Sequence, residues 1–270
     1  MQRSNSLLAK IYLVLIFLIL YAPIVYLIVY SFNSGGTMNE FTGFTMEHYQ
    51  NLFADKRLLS IVLDTLLVAL LSAFVATVIG TAGAIYIYSV RRPKQREHLM
   101  SGNNLLMVMP DVIIGASFLI LFTYILPVPL GFWSVLLSHI AFNIPIVVLM
   151  VLPRLYAMNP SMLLAAEDLG ASFGQILDRV ILPNISSGIL TGFFMALTYS
   201  LDDFAVTFFV TGGGFTTLAV EVYSRARRGV SLEINALSTL MFLLSLVLVV
   251  LYYSIQMRDA RSNKGGRSHA

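Results

Sequence analysis

Six long apolar runs alternate with short polar segments along the chain. They cover residues 11–30, about 61–88, about 105–126, about 132–152, about 185–210 and about 234–255. Each reaches the roughly 20 residues that a helix needs to cross a bilayer. No alternating strand pattern accompanies them, so helices must satisfy the backbone inside lipid. The expected fold is all-α: a polytopic membrane protein with six transmembrane helices. Residues 1–10 precede the membrane-spanning body of 11–257, and 258–270 follow it as a tail. The first run is too long for a secretory h-region and lacks a small-residue cleavage site, so it reads as a retained anchor.

One polar segment, within the loop 154–184, predicts compact structure of its own. Asn159 is a helix cap and Pro160 suits the first helical position. Ala165 and Ala166 favour helix. Gly170 ends or interrupts it and permits close backbone approach. A second short helix is expected from Ser172 to Val180 with a serine cap, and Pro183 then opens the next run. Two short helices at an angle, carrying Glu167, Asp168 and Asp178, make a small acidic knob. A lipid-bound amphipathic helix is usually rich in Lys and Arg. This one is net acidic, which points to a protein partner.

Composition agrees with the membrane reading. The chain of 270 residues is 57% hydrophobic and only 11% charged, against about 25% charged in soluble domains. Cysteine is absent, which excludes disulfides, thiol catalysis and cysteine metal sites. The net charge of +3 is no nucleic-acid signal. With the N-terminus inside, twelve cations fall inside: Arg3, Lys10, Arg91, Arg92, Lys94, Arg96, Arg154, Arg179, Arg258, Arg261, Lys264 and Arg267. Five fall outside: Lys56, Arg57, Arg225, Arg227 and Arg228. The positive-inside rule then places both termini in the cytoplasm. The outside cluster at Arg225 has two readings, a partner contact or a solvated loop. The tail after Arg258 is short, basic and Gly/Ser-rich, and is expected to be unstructured.

Ionisable groups inside apolar runs are costly and become functional candidates. Asp111 follows Pro110 early in the third run. Asp202 and Asp203 lie late in the fifth, about 25 Å from its cytoplasmic end. Adjacent helix positions differ by about 100°, so the two carboxylates point different ways. One can face a pathway while the other bonds a neighbouring helix. No Lys or Arg lies within a run to pair with them. Two readings stand: structural or protonated acids, or a cation path with Tyr199, Phe204, Phe208 and Trp133 adding ring contacts. His139 in the fourth run reads as a helix–helix hydrogen bond, and Asn143 beside Pro145 as a cross-helix bond at a kink.

The segment Leu164-Ala165-Ala166-Glu167-Asp168-Leu169-Gly170, nine residues, then Val180-Ile181-Leu182-Pro183 resembles the coupling loop of ABC importer permeases. The family pattern is E-A-A-x3-G-x9-I-x-L-P; Leu164 stands where the family has Glu. Similar Gly-Phe-Thr segments with a following short helix, here Gly43-Phe44-Thr45, occur outside the first span of many such permeases. The words Tyr199-Ser200-Leu201-Asp202-Asp203-Phe204, Phe209-Val210-Thr211-Gly212, Glu221-Val222-Tyr223-Ser224, Gly229-Val230-Ser231 and Glu233-Ile234-Asn235-Ala236-Leu237-Ser238-Thr239 are similar to the spermidine/putrescine (PotC-like) group.

The resemblance implies a type I importer permease fold and the import of polyamines. It implies a second, PotB-like permease subunit, a PotA-like ATPase dimer that binds ATP and Mg, and an external PotD-like binding protein. ATPase coupling would fall to Ala165, Ala166, Glu167, Asp168, Gly170, Leu182 and Pro183, and substrate translocation to Asp202, Asp203, Asp111 and Tyr199. Permeases for phosphate, thiamine, iron or molybdate share the loop, so it marks the superfamily rather than the cargo. No Gly-x4-Gly-Lys-Ser/Thr segment is present for nucleotide. The histidines fit no metal spacing, and no nucleophile–base set supports catalysis. A secondary transporter would predict an inverted repeat, and none is evident.

Overall fold

The computed structural model describes residues 5–228 and 232–265. Arg3, Gly229-Val230-Ser231 and Arg267 lie outside the described residues. Helix makes up most of the described chain, with only isolated β-bridges. Two compact units emerge, Met1–Ser60 with Glu221–Leu248, and Ile61–Val220 with Val249–Ala270.

In the first unit, α1 spans Asn5–Tyr30, and its apolar stretch Leu8–Tyr30 is wholly unburied. The following loop is organised by buried Asn33. Its amide donates to the Thr37 and Glu40 carbonyls at 3.1 and 2.8 Å. Its Oδ1 accepts from the Thr42 N–H at 2.9 Å. Helix α2 is Glu47–Ala54. Asp55 then caps the start of α3, Lys56–Ser89, accepting from the Arg57 and Leu58 N–H groups at 3.0 and 3.1 Å.

An ion-pair cluster joins this corner to α11, Leu218–Arg228, and to the first turn of α12, Leu232–Gly265. Arg225 is its hub. It bonds Glu221 at 2.8 Å and Asp55 at 3.3 Å, and approaches Glu233 at 4.0 Å. Arg57 adds a 3.2 Å bond to buried Glu221. The cluster corrects the solvated-loop reading for Arg225, which sits on a helix and is bound by carboxylates of its own chain. The Leu58 N–H chiefly, with help from Arg225, holds the Asp55 carboxyl below its ordinary range, and the Glu221 bond raises Arg225.

In the second unit, the expected third span is not one straight helix. Helix α4, Pro93–Val108, and α5, Asp111–Ile120 with a π-helical turn Leu121–Ile125, meet at a bend of 101°. Pro110 lies at the bend: it lacks an N–H, and it pushes Met109 out of helical conformation. Helix α6 is Phe132–Ala157, and α7, Pro160–Asp168, follows. A turn of α8, Phe173–Ile176, passes through a π-helical turn, Leu177–Ile181, into α9, Leu182–Asp202. The expected independent helix over 172–180 is therefore corrected to the first turns of the fifth span. The π turn accommodates Pro183, and the Asn184 amide satisfies the Val180 carbonyl at 2.7 Å. The fifth run breaks after Asp202 and resumes as α10, Ala205–Val210.

Among the described residues, four helices are long and apolar enough to cross a membrane, or five if the bent pair counts as one span. The sixth expected run begins α12, whose apolar stretch Leu232–Val247 is shorter. The tail expected to be unstructured from Arg258 is helical through Gly265. Met257, Arg258, Ala260 and Arg261 favour helix, and cations suit a helix C-terminus.

Small residues let α3, α6 and α9 approach closely, as in other membrane helix packings. Ala69, Ala73, Ala76 and Ala84 of α3 and Ala196 of α9 are fully buried. A Cβ on Gly80 would lie 2.7 Å from the Val147 side chain and 3.0 Å from the Ile144 carbonyl. On Gly188 it would lie 3.1 Å from the Met150 carbonyl. Gly83 has ordinary room, 3.7 Å from Val148.

Gly80→Val should destabilise by about 1–3 kcal/mol, the usual cost of overpacking, whereas Gly83→Ala should be tolerated. Thermal unfolding and monodispersity in detergent read the difference. Arg225→Gln should lower the melting temperature more than Arg57→Gln. Arg225 is 19% exposed and holds three carboxylates, while Arg57 is 70% exposed, where an ion pair adds little. Because Asp55 has a lowered folded pKa, its contribution is present above the ordinary carboxylate range. It is lost as pH falls through the folded value. The gap between Arg225→Gln and the unsubstituted chain should therefore narrow on acidification.

Candidate functional site

The break between α9 and α10 leaves the α10 N–H groups without intrahelical partners. Asp203 fills that need. Its Oδ1 accepts from the Val206 N–H at 3.2 Å, and its Oδ2 from the Thr207 N–H at 2.9 Å and the Thr207 hydroxyl at 2.7 Å. The same Oδ2 lies 3.5 Å from His139 Nε2 of α6. The Asp203 side chain is only 6% exposed.

The Thr207 hydroxyl gives its proton to Asp203, so its oxygen accepts from His139 Nε2 at 2.9 Å. The opposite ring nitrogen, Nδ1, meets the Ser200 hydroxyl at 2.6 Å, and Ser200 meets Ser72 of α3 at 3.0 Å. One buried chain of hydrogen bonds thus links α3, α6, α9 and α10. Phe142 packs at a tilt against the His139 ring and meets Tyr199 edge-on. Ile114, Phe142 and Val206 form the adjoining core, which fixes α5 against α10. Gly115 permits that approach: a Cβ there would lie 2.7 Å from Phe209 and 3.1 Å from the Ala205 carbonyl.

The four proposed translocation residues fall into two kinds. Asp203 is buried and bonded to neighbouring helices. Asp202 and Asp111 are exposed, with no cationic partner among the described residues. Half-exposed Tyr199 lies beside Asp111 and within charge range of Asp203. The structure therefore gathers Asp111, Tyr199 and Asp203 around one locality. Trp133 is exposed and packs against Phe132. Phe204 and Phe208 pack on each other.

Sequence reasoning missed Ser72, Ser200 and Thr207. The spacing Asp203-x3-Thr207 is a cap signal that could have found one of them. Asn143 is a correction: its side-chain amide has no hydrogen-bond partner among the described residues. The cross-helix bond at this level comes from Asn103, whose amide donates to the Pro145 carbonyl at 3.4 Å.

The loop after α6 is built as a small surface of its own. Asn159 Oδ1 accepts from the Ser161 N–H at 3.0 Å and caps α7. Gly170 has φ +75°, a conformation that suits glycine. The Ser172 N–H donates to Gln175 at 2.8 Å and starts α8. Ala165, Glu167 and Asp168 are exposed, and Ala166 and Leu182 are half-buried; Pro183 is exposed on the first turn of α9. Leu164, Leu169 and Phe173 are also exposed, Leu169 to 88%. The surface is thus apolar as well as acidic, a character that the sequence reading, which stressed small residues and carboxylates, did not anticipate.

Residues 80–261 match the family model described as "Binding-protein-dependent transport system inner membrane component". The chain is 39% identical over 251 residues, 93% of its length and 94% of the relative's, to the spermidine/putrescine transport system permease protein PotC of Escherichia coli K12. It is 36% identical over 95% of its length and 99% of the relative's to PotC of Haemophilus influenzae. Identity is also 36% with the Escherichia coli K12 putrescine permease PotI, over 84% of this chain and 83% of that one. Among solved structures, a bacterial ABC transporter that imports alginate superposes with TM-score 0.76 at 17% identity, over 95% of this chain and 96% of that one. The MetNI methionine ABC transporter, in an inward-facing form, gives TM-score 0.61 at 21% identity over 77% of this chain and 94% of that one. These likenesses give the fold of ABC importer permeases, and the chain belongs to the binding-protein-dependent transport system inner membrane components, in their PotC-like group.

Proposed function

We propose that this chain is the PotC-type permease subunit of an ATP-driven importer, which carries spermidine or putrescine into the cell. The observation that carries this reading is the identity of 39% over 93% of the chain with a named spermidine/putrescine permease. The site supports it chemically. Asp111 and Asp202 offer exposed carboxylates where an ammonium group loses its hydration. Asp203 is the third acid of the set and acts by capping α10.

The energy comes from elsewhere. A PotA-like ATPase dimer binds ATP and Mg, a PotB-like subunit completes the pathway, and an external PotD-like protein delivers the cargo. This chain carries no ATPase site of its own. The protein lies in the bacterial inner membrane with six spans and both termini cytoplasmic. The loop from Asn159 to Pro183 then faces the ATPase, and Leu164, Leu169 and Phe173 add apolar contact to its acids.

Asp202→Asn and Asp111→Asn should each lower polyamine uptake about tenfold, the worth of one charge-assisted hydrogen bond, with normal amounts of protein in the membrane. Asp203→Asn should instead lower the amount of folded protein. Radiolabelled uptake in cells lacking other polyamine importers, with quantified membrane protein, separates these effects. Full uptake by both exposed-acid variants would remove the cation path. Gly170→Val forces a side chain into positive φ, at a cost of about 1–3 kcal/mol. It should lower uptake while basal ATP hydrolysis by the assembled complex persists; transport-coupled hydrolysis at the unsubstituted level would count against coupling through this turn.

A further inference from the structure

Helix α4 carries polar residues at a depth where a lipid-facing helix is apolar. Two contacts fix that depth. The Arg96 guanidinium sits 4.6 Å over the Tyr156 ring, at the last turn of α6. The Asn103 amide reaches the Pro145 carbonyl at 3.4 Å, near the middle of the same helix. α4 therefore runs antiparallel to α6, from its Ala157 end to its midpoint.

The face in contact is also defined. At about 100° per residue, Arg96, Leu99, Met100, Asn103 and Leu106 share one side of α4, and all are half-buried. Glu97, Ser101, Asn104 and Val108 form a second stripe about 100° round from Arg96, spaced four, three and four, and all are exposed; exposed Leu105 lies beyond it, opposite Arg96. No residue of α4 is buried. Asn104 Oδ1 accepts from the Asn103 amide at 3.4 Å, but the Asn104 N–H groups and the Ser101 hydroxyl at mid-depth do not face hydrocarbon without cost. The stripe ends at the bend, where Asp111 opens α5 beside Tyr199.

We infer that this face of α4 lines the inner half of the cargo path, with Ser101 and Asn104 at mid-depth and Glu97 at the cytoplasmic mouth. The inference rests on the function proposed above, and its cargo is an extended polyamine cation. Neutral oxygens suit the middle of such a path. They replace water around an ammonium group without holding it, as multi-site conduction requires. The full carboxylate of Glu97 lies near the level of Arg96, where bulk water is close.

The absence of cysteine from this chain makes the test direct. Ser101→Cys and Asn104→Cys, each in the assembled transporter, are exposed in inverted membrane vesicles to a membrane-impermeant cationic methanethiosulfonate. Val78→Cys on α3, 57% exposed and at a depth similar to Asn104, is the lipid-facing control, and the unsubstituted chain gives the background from partner subunits. Both α4 cysteines should react about tenfold faster than the control, and spermidine should slow them while phosphate does not. No labelling above the control would overturn the inference and assign the face to the second permease subunit or to lipid. Labelling that spermidine leaves unchanged, for a complex whose right-side-out vesicles take it up, would also overturn it: the face is wet but off the path. Right-side-out vesicles of the unsubstituted complex, loaded with ATP and supplied with the binding protein, that take up no polyamine would instead sink the function proposed above. In that case the labelling rates still decide whether the α4 face is wet.

Discussion

The His139 side chain holds the second unit together because a membrane interior offers polar groups no other partner. Its ring is held between Ser200 and Thr207, and Thr207 passes the bond on to Asp203. That chain spans the point where α9 stops and α10 starts. Without Asp203, the first N–H groups of α10 would stand unpaired in a low-dielectric interior. The break in the fifth run is thus a supported feature, and it determines which acid is occupied and which is free. Asp203 spends its acceptors on α10, so Asp202, one residue earlier, is left exposed.

The same constraint sets the packing around it. Bonds from α3 to α9 and from α6 to α9 require close backbones, and the residues that permit this are small. Ser72, Ala76, Gly80 and Ala84 supply them on α3, with Gly188, Gly192, Ala196 and Ser200 on α9. Away from this seam, large apolar residues such as Leu63, Leu70 and Phe74 of α3 are exposed, as lipid requires. The opposite solution appears at the corner of Asp55 and Arg225, where charges pair with one another.

Much of the helical layout was legible because apolar runs report lipid directly. The breaks were not, since hydrophobicity continues through them. Residues 105–126 read as one run, yet Pro110 divides it, and only the proline hinted at this. The acids were legible from their cost. Their division into one buried and two exposed was not, because it depends on His139, more than sixty residues from Asp203. The pair Glu221 and Arg225 had a readable helical spacing, but Asp55, the partner that locks it, lies 170 residues away. Leu164, Leu169 and Phe173 were hidden for a different reason: in so apolar a chain, three more hydrophobic residues carry no contrast.

The π-helical turn at Leu177–Ile181 sets the orientation of the loop before it relative to the helix after it. Such a turn inserts about one extra residue into a helix, which advances everything before it by about 100° relative to everything after it. The exposed apolar surface at Leu169 and Phe173 is therefore clocked against Asp202 by a single residue of register. Removing one residue there would keep a helix but turn the surface to a new azimuth. The direction of the surface is a geometric setting stored in the backbone, separate from the identity of the side chains that form it.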